Sequence, residues 1–438
     1  MFHQRLWLLI GLLLFACAAN VRAGGFAQLD MGATRAAMQT VVAGIDDATA
    51  IYHNPACLIG QHGTRFYLAA TSFFLNGRFK IRDYAGNESN WIKPDRYFGF
   101  SPFIGLTSDL NSDNWAAGAA LYFPNAYGAD MPENSPTRYA LTDGLFITAY
   151  FTPTLSYRLT PKLSVGLGVS YVYVDLSGTR RLHGDVLLGD ILLSEYPDAE
   201  EDWELELTGR EHSYNWDVGL LWKPIPRLRL GLTYSAEREL SLSGEANITD
   251  VNPDVNPDSD LIQILVALIG KNSVDVEVNM LIPRNLRLGV QYDASDKWTL
   301  GFDVVWWDYS RYEEQRITTD PVIPMFDLTT EKNYSDSYQI DLGARYRISA
   351  NTNVLAGLMY DWSPIPDESY SLESPTSDIF CYSLGVSRNL GDSLEATVAW
   401  SHNFYKDKRI DEVNYKPNIR PIGEAQMYEV AIDLAYHF

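Results

Sequence analysis

The chain is poor in cysteine, in positive charge and in long apolar runs, and each shortage removes a class of protein. Three cysteines in 438 residues, of which Cys57 and Cys381 follow the leader, exclude a disulfide framework and a cysteine-ligated metal site. Basic residues number 34 against 56 acidic ones, for a formal charge of −22. No basic face is available for nucleic acid, which is excluded as a partner. Apart from Leu6–Ala19 no apolar run approaches the ~20 residues of a membrane helix. A G-x-S-x-G motif is also missing, and none of the histidines after the leader (His53, His62, His183, His212, His402 and His437) lies beside a recognisable nucleophile motif. The chain is therefore not expected to be an enzyme, and no cofactor is expected.

Tyrosine and tryptophan are abundant, 27 and 11. Residues 1–23 read as a secretory leader, with Arg5 ahead of the apolar core and Val21-Arg22-Ala23 as the processing site. Lipoprotein processing at Cys17 is the weaker alternative, because Phe15 fits it poorly. Loss of Arg5 and Arg22 takes the charge from −22 to −24.

From Arg65 onward the side chains alternate with a period of two, the signature of strands. Leu163, Val165, Leu167, Val169, Tyr171 and Tyr173 share one face, and Ser164, Gly166, Gly168 and Ser170 the other. Trp298, Leu300, Phe302, Val304 and Trp306 alternate with Thr299, Gly301 and Asp303. Tyr338, Ile340, Leu342, Ala344 and Tyr346 alternate with Gln339, Asp341, Gly343, Arg345 and Arg347. Aromatic tips around an aliphatic middle match two membrane interfaces and the hydrocarbon between them. Lipid-facing Leu342 should not tolerate a charge, whereas lumenal Gly343 should tolerate one better. Arg345 and Arg347 could meet an anionic ligand, or more simply pair with a lumenal acid such as Asp341.

Six short turns alternate with seven long polar loops, near 76–96, 123–143, 177–212, 236–273, 308–335, 363–379 and 403–424. Thirteen connections join fourteen strands. The expectation is an all-β, 14-stranded antiparallel transmembrane barrel over 63–438, in a Gram-negative outer membrane, surrounded by its lipid and lipopolysaccharide. The last strand ends on Phe438, with Tyr428, Val430, Ile432, Leu434 and Tyr436 on the same face.

Residues 24–62 break the alternation. They are rich in Gly and Ala, and Pro55 forces Asn54 out of the helical region. They are read as a plug inside the lumen, with one short helical turn near Arg35–Val42.

The plug and its fourteen strands resemble the FadL family of outer-membrane transporters for hydrophobic molecules. The resemblance rests on Gly24-Gly25-Phe26-Ala27, Gly44, Asp46-Asp47-Ala48 and Asn54-Pro55-Ala56-x-Leu58, which match the family's N-terminal hatch. Cys57 departs from the usual glycine, which raises the question of a positive φ there. The resemblance implies passive transport of long-chain fatty acids or similar molecules by a monomer. Asp46, Asp47, Asn54, Pro55, Ala56 and Leu58 would be its gate. A lateral exit is implied at a kink in the third strand, Trp115–Phe123, where Ala116 and Gly118 would leave space. The terminal strand looks like the signal read by the barrel-insertion machinery.

Two outer loops carry unusual apolar content, Val186–Leu193 and Leu261–Ile269. By family precedent they form an acyl-chain groove, here with Leu187, Leu188, Ile191, Leu192, Leu261, Ile264, Leu265 and Leu268. A lid of two helices packed on each other is the simpler reading. The alternating acids of Asp250–Asp260 suit calcium only weakly, and a solvated loop is preferred, so no metal is expected. The rival functions are an open porin for small polar solutes and an adhesin or structural barrel.

Overall fold

The computed structural model describes residues 31–83, 85–95, 98–183, 202–252, 273–320, 328–372, 375–413 and 420–438. Fourteen antiparallel staves close on themselves. In chain order they are β1 Thr64–Ile81, β2 Phe98–Ser108, β3 Trp115–Asp130, β4 Asp143–Thr160, β5 Leu163–Leu182 and β6 Trp203–Ile225. Next come β7 (Leu228–Ser235, continued as Arg238–Asp250), β8 (Ser273–Ile282, continued as Asn285–Asp293) and β9 (Trp298–Trp307, extended by Glu314–Asp320). The last five are β10 (Leu328–Glu331 and Ser337–Ser349), β11 Thr352–Asp361, β12 Ile379–Asn389, β13 Leu394–Tyr405 with Lys408–Arg409, and β14 Pro421–His437. Closure is made by β1 and β14, paired from Arg65↔His437 to Ile81↔Pro421. A ladder closed between its first and last staves leaves no free outer edge, so most of the wall's backbone polar groups find partners without water.

The alternation dictates which face turns outward. Leu167, Val169 and Tyr171 are exposed on β5, Trp298, Leu300 and Phe302 on β9, and Tyr338, Ile340 and Leu342 on β10. Their neighbours Ser170, Asp303 and Asp341 are buried inside. An apolar outside around a filled, polar-lined inside is the inverse of a water-soluble domain and suits hydrocarbon.

Several staves run further than the loss of apolar alternation indicates. β5 and β6 continue their ladder through Asp175↔Arg210 to Leu182↔Trp203, inside the segment read as loop 177–212. β7 likewise reaches Asp250. Beyond the bilayer neither face has to be apolar, so the period fades while hydrogen-bonded pairing persists. These extensions enclose an inward apolar cluster of Leu182, Trp203, Leu205, Ala246, Ile248, Val274 and Val276.

The segment from Met31 to Gln61 lies within the barrel. It forms α1 Ala33–Met38, α2 Ala50–His53 and a 3-10 turn, Pro55–Gly60. The helical turn expected near Arg35–Val42 is therefore found, displaced toward the N-terminus. Asn54 is extended, at φ −159° and ψ 102°, as the following proline requires. Its side chain accepts a hydrogen bond from Ala56 N at 3.0 Å and so caps the turn.

Candidate functional site

The plug fits because the wall makes room for its backbone. Eight consecutive staves, β5 to β12, each place a glycine against it: Gly166, Gly219, Gly231, Gly289, Gly301, Gly343, Gly357 and Gly385. A Cβ on Gly166 would lie 2.3 Å from the Pro55 carbonyl carbon, and one on Gly231 would lie 2.2 Å from Val42 O. Such distances leave no room for any side chain. Gly343 faces inward as the alternation implies, but it is covered by Thr40 and Met38. It is therefore not the open position at which a charge was expected to be tolerated.

Polar side chains of the wall complete the seat. Asp303 of β9 accepts hydrogen bonds from Val41 N and Val42 N at 2.7 and 3.0 Å. Asp433 of β14 accepts from Ala33 N at 2.6 Å and from the Tyr67 hydroxyl, placing a carboxylate at the start of α1. Arg35 of the plug pairs with Asp341 at 3.2 Å, both fully buried. Asp341 is thus taken by the plug and not by Arg345 or Arg347. Arg287 of β8 donates to Tyr52 O at 3.0 Å, and Thr233 of β7 donates to His53 O at 3.1 Å. Burial holds the His53 imidazole well below its ordinary pKa, and its Nε2 lies 2.9 Å from Met31 O.

The predicted gate residues fall into two groups. Asn54, Pro55, Ala56 and Leu58 pack toward β3–β6, where Asn54 Nδ2 donates to Val42 O at 2.7 Å and to Leu220 O at 3.0 Å. Ser156 donates to Ala56 O at 3.3 Å, and Arg158 to Ile59 O at 3.2 Å. Asp46 and Asp47 lie apart from these, on a polar cavity of about 280 Å³ whose other lining includes Arg65, Tyr67, Glu395, Asp433 and His437. Burial pushes the Asp47 carboxyl up to about 7; hydrogen bonds from Thr49 oppose this and the charge of Asp46 adds to it. Cys57 has no positive φ, so replacing glycine there strains nothing. Its thiol is buried and pushed up to about 12, chiefly by desolvation, and neither Cys57 nor Cys381 is disulfide-bonded.

Against the plug, inward aromatic rings cross the wall from stave to stave. Tyr150 of β4 stacks on Tyr122 of β3 at 5.4 Å, Tyr122 stacks on Phe103 of β2 at 5.5 Å, and Tyr67 of β1 meets Phe103 edge-on at 5.8 Å. Tyr52 of α2 meets Tyr122 edge-on at 5.5 Å.

The row passes a break in the wall. β2 and β3 pair only from Phe103↔Tyr122 to Ser108↔Ala117. Beyond Tyr122 the strand β3 shifts register against β4, up to Asn125↔Thr148, which places a bulge at Phe123–Pro124. Pro124 has no N–H to offer β2. Phe98–Pro102 pair with β1 and not with β3, and the Ser101 hydroxyl, donating to Phe123 O at 3.0 Å, spans the break. The kink thus lies at the end of the segment read as Trp115–Phe123. Ala116 is buried, and Gly118 faces Thr107 and Ile51, so the small residues there accommodate packing and not an opening.

The apolar loop residues Leu187, Leu188, Ile191, Leu192, Leu261, Ile264, Leu265 and Leu268 lie outside the described residues, as does Asp254–Asp260 of the acidic run. The glycine seat, Asp303, Asp433 and Arg287 were missed as site residues. Their signal was the recurrence of Gly and Asp on the lumenal face, which becomes specific only once the plug is placed against it.

Comparison with known proteins agrees with this geometry. The long-chain fatty acid transport protein of Escherichia coli strain K12 is 22% identical over 298 residues, covering 64% of this chain and 65% of that protein. The protein of the same name from Escherichia coli O6:H1 is 22% identical over 256 residues, and the chain spans 56% of its length. Among solved structures, a Pseudomonas aeruginosa FadL homologue superposes with a TM-score of 0.83 at 17% identity, over 95% of this chain and 100% of that one. At this identity the likeness speaks to the fold. The family profile described as outer membrane protein transport protein (OMPP1/FadL/TodX) matches residues 14–438. A closed outer-membrane barrel with its N-terminal segment seated inside and a bulged third strand that pairs with only part of the second is, on these grounds, a member of the OMPP1/FadL/TodX family.

Proposed function

We propose that this barrel carries long-chain fatty acids or similar hydrophobic molecules across the outer membrane by passive diffusion. Cargo is captured at the apolar segments 186–193 and 261–269 and passes the inward cluster around Trp203. It leaves sideways into the bilayer at the break beside Phe123–Pro124. Asp46, Asp47, Asn54, Pro55, Ala56 and Leu58 belong to the plug whose rearrangement opens the path. The protein acts as a monomer surrounded by outer-membrane lipid and lipopolysaccharide, and its terminal strand is read by the insertion machinery.

The observation that carries this reading is the loss of the β2–β3 ladder at Tyr122 in a wall closed by β1 and β14. A wall held by backbone pairing is impermeable to a lipid chain; one without it for several residues is not. The buried aromatic row passes that break and offers an apolar surface. A plug held by eight staves argues against an open porin.

The test is a cross-link. Cysteines at Ser101 and Asn125, in a Cys57→Ser, Cys381→Ser background, should abolish fatty-acid uptake by cells when oxidised and restore it on reduction. Undiminished uptake with the bridge formed would refute lateral exit. Steady large single-channel conductance would favour the porin.

A further inference from the structure

We infer that the short-turn mouth of the barrel is a docking surface for a water-soluble periplasmic protein, which sets an acidic segment into the basic half of that mouth. This partner is distinct from the cargo, and its docking goes beyond the transport reading.

The mouth carries both signs of charge, and they are segregated. Short turns of an outer-membrane barrel face the periplasm. On the half formed by β4 to β10 stand Arg158 and Lys162, then Lys223, Arg227 and Arg229, and last Lys297, Arg345 and Arg347. At these turns only Asp293 and Asp296 oppose the eight cations. The other half, from β12 round to β3, reverses the sign. Asp109, Asp113, Asp392 and Glu395, with Asp46 of the plug beside them, outnumber Arg65 and Arg388. A chain of formal charge −22 thus keeps one strongly basic sector, and keeps it at this end.

The basic half is crowded and short of counter-charge. Lys223 N donates to Lys162 O at 2.7 Å and Arg347 N to Lys297 O at 2.9 Å, so neighbouring turns hold like-charged residues side by side. The charges of Arg229 and Arg158 both bear on Lys223. Arg227 pairs with Asp296 at 3.2 Å and Arg229 with Asp293 at 2.7 Å, which uses up both acids. Lys162 Nζ donates to Pro224 O at 2.9 Å, and Arg158 is held by Ile59 O of the plug. Asp341, on the same face as Arg345, is taken by Arg35. Lys223, Lys297, Arg345 and Arg347 make no ion pair among the described residues.

The geometry selects among anionic occupants. Membrane lipid lies outside the wall, whereas Arg345 follows Asp341 and Gly343 on the lumenal face, beyond its reach. A small anion neutralises the basic half and leaves the acidic half unmatched. A protein surface of opposite polarity meets both halves, and complementary potentials of this kind fix orientation and speed encounter. The basic half also adjoins the plug, because Arg158 holds Ile59 O and the charge of Lys223 reaches Cys57. A segment docked there lies against the 3-10 turn Pro55–Gly60.

The test uses the full-length protein in a non-ionic detergent and two fluorescein-labelled peptides. One is a glutamate block alone; the other joins that block to a lysine block through a glycine-serine linker that spans the mouth. At low salt the two-block peptide should bind about tenfold tighter than the glutamate block. Arg345→Gln with Arg347→Gln should weaken both peptides about tenfold. Asp113→Asn with Asp392→Asn should remove only the advantage of the lysine block, and Arg78→Gln with Lys80→Gln, at the outer end, should change neither. Folding of each variant is checked by heat-modifiable electrophoretic mobility. Equal affinity of wild type for the two peptides, which needs no variant, would overturn the docking surface, as would unchanged binding in folded Arg345→Gln, Arg347→Gln protein. Displacement of both peptides by inorganic phosphate at an ionic strength where chloride has no effect, or by phosphatidylglycerol added to the micelles, would also overturn it, assigning the basic half to a small anion or to lipid.

Discussion

Gly343 of β10 faces the hydroxyl of Thr40 in the plug so closely that a Cβ on it would lie 2.2 Å from that oxygen. Its neighbour Leu342 points the other way, half-exposed on the outer face. One residue of pleat separates the membrane contact from the plug contact, and the two can be broken independently. Leu342→Arg should cost about 2–4 kcal/mol at the bilayer midplane and block folding into vesicles. Gly343→Ala should still insert, because the outer face is unchanged, but should leave the plug sensitive to protease. Heat-modifiable mobility reports the barrel and limited proteolysis the plug; a fully protected plug in Gly343→Ala would show that the seat is not tight.

Asp303 holds two successive backbone N–H groups of the plug. Asp303→Ala leaves both buried donors without an acceptor, at a cost of about 1–3 kcal/mol each. Amide hydrogen exchange at Val41 and Val42 should accelerate by at least tenfold, with exchange in β5 unaltered. Unchanged protection at both amides would mean that the carboxylate is dispensable.

The seating of the plug should depend on pH through Asp47. Its carboxyl is raised from 3.8 to about 7 by burial. The seated plug therefore keeps a proton that a released plug, titrating near the ordinary value, gives up. Seating is favoured below about pH 4, weakens as pH rises toward 7, and levels off above that. Cys57, whose thiol is buried in the plug, reports release by its rate of maleimide labelling in a Cys381→Ser background. Between pH 5 and 8 that rate should climb faster than in the same protein carrying Asp47→Asn, a ratio that cancels the thiol's own titration. A ratio constant across this range would dismiss Asp47 as the cause.

Arg287 should behave as a tether of the plug. Its guanidinium lies over the Tyr52 ring at 4.8 Å as well as bonding the Tyr52 carbonyl. Arg287→Met should loosen α2 and speed proteolysis between Ala50 and Gly60, without changing the heat-modifiable mobility of the barrel. Protection equal to wild type would exclude the tether.

Much of the wall was readable residue by residue. Leu342, Phe302 and Leu167 lie outside because a strand turns successive side chains to opposite faces, a local rule needing no partner. Asn54 was readable as a break in helix because its neighbour is proline. The bulge at Phe123–Pro124 was placed only approximately, since it depends on how β4 pairs with β3. Arg238 lay in a segment read as an outer loop, where an arginine is unremarkable; the continuation of β7 to Asp250 turned it into a buried cation.

The order of side chains along each stave by itself determined that this protein is a barrel facing hydrocarbon, because period-two alternation records which face meets lipid. Tertiary structure alone decided what the lumenal residues do. Ala33 and Asp433 stand 400 positions apart, yet meet at 2.6 Å, and a glycine becomes a seat, an aspartate a clasp and an arginine a tether only when closure brings the plug and the distant staves together.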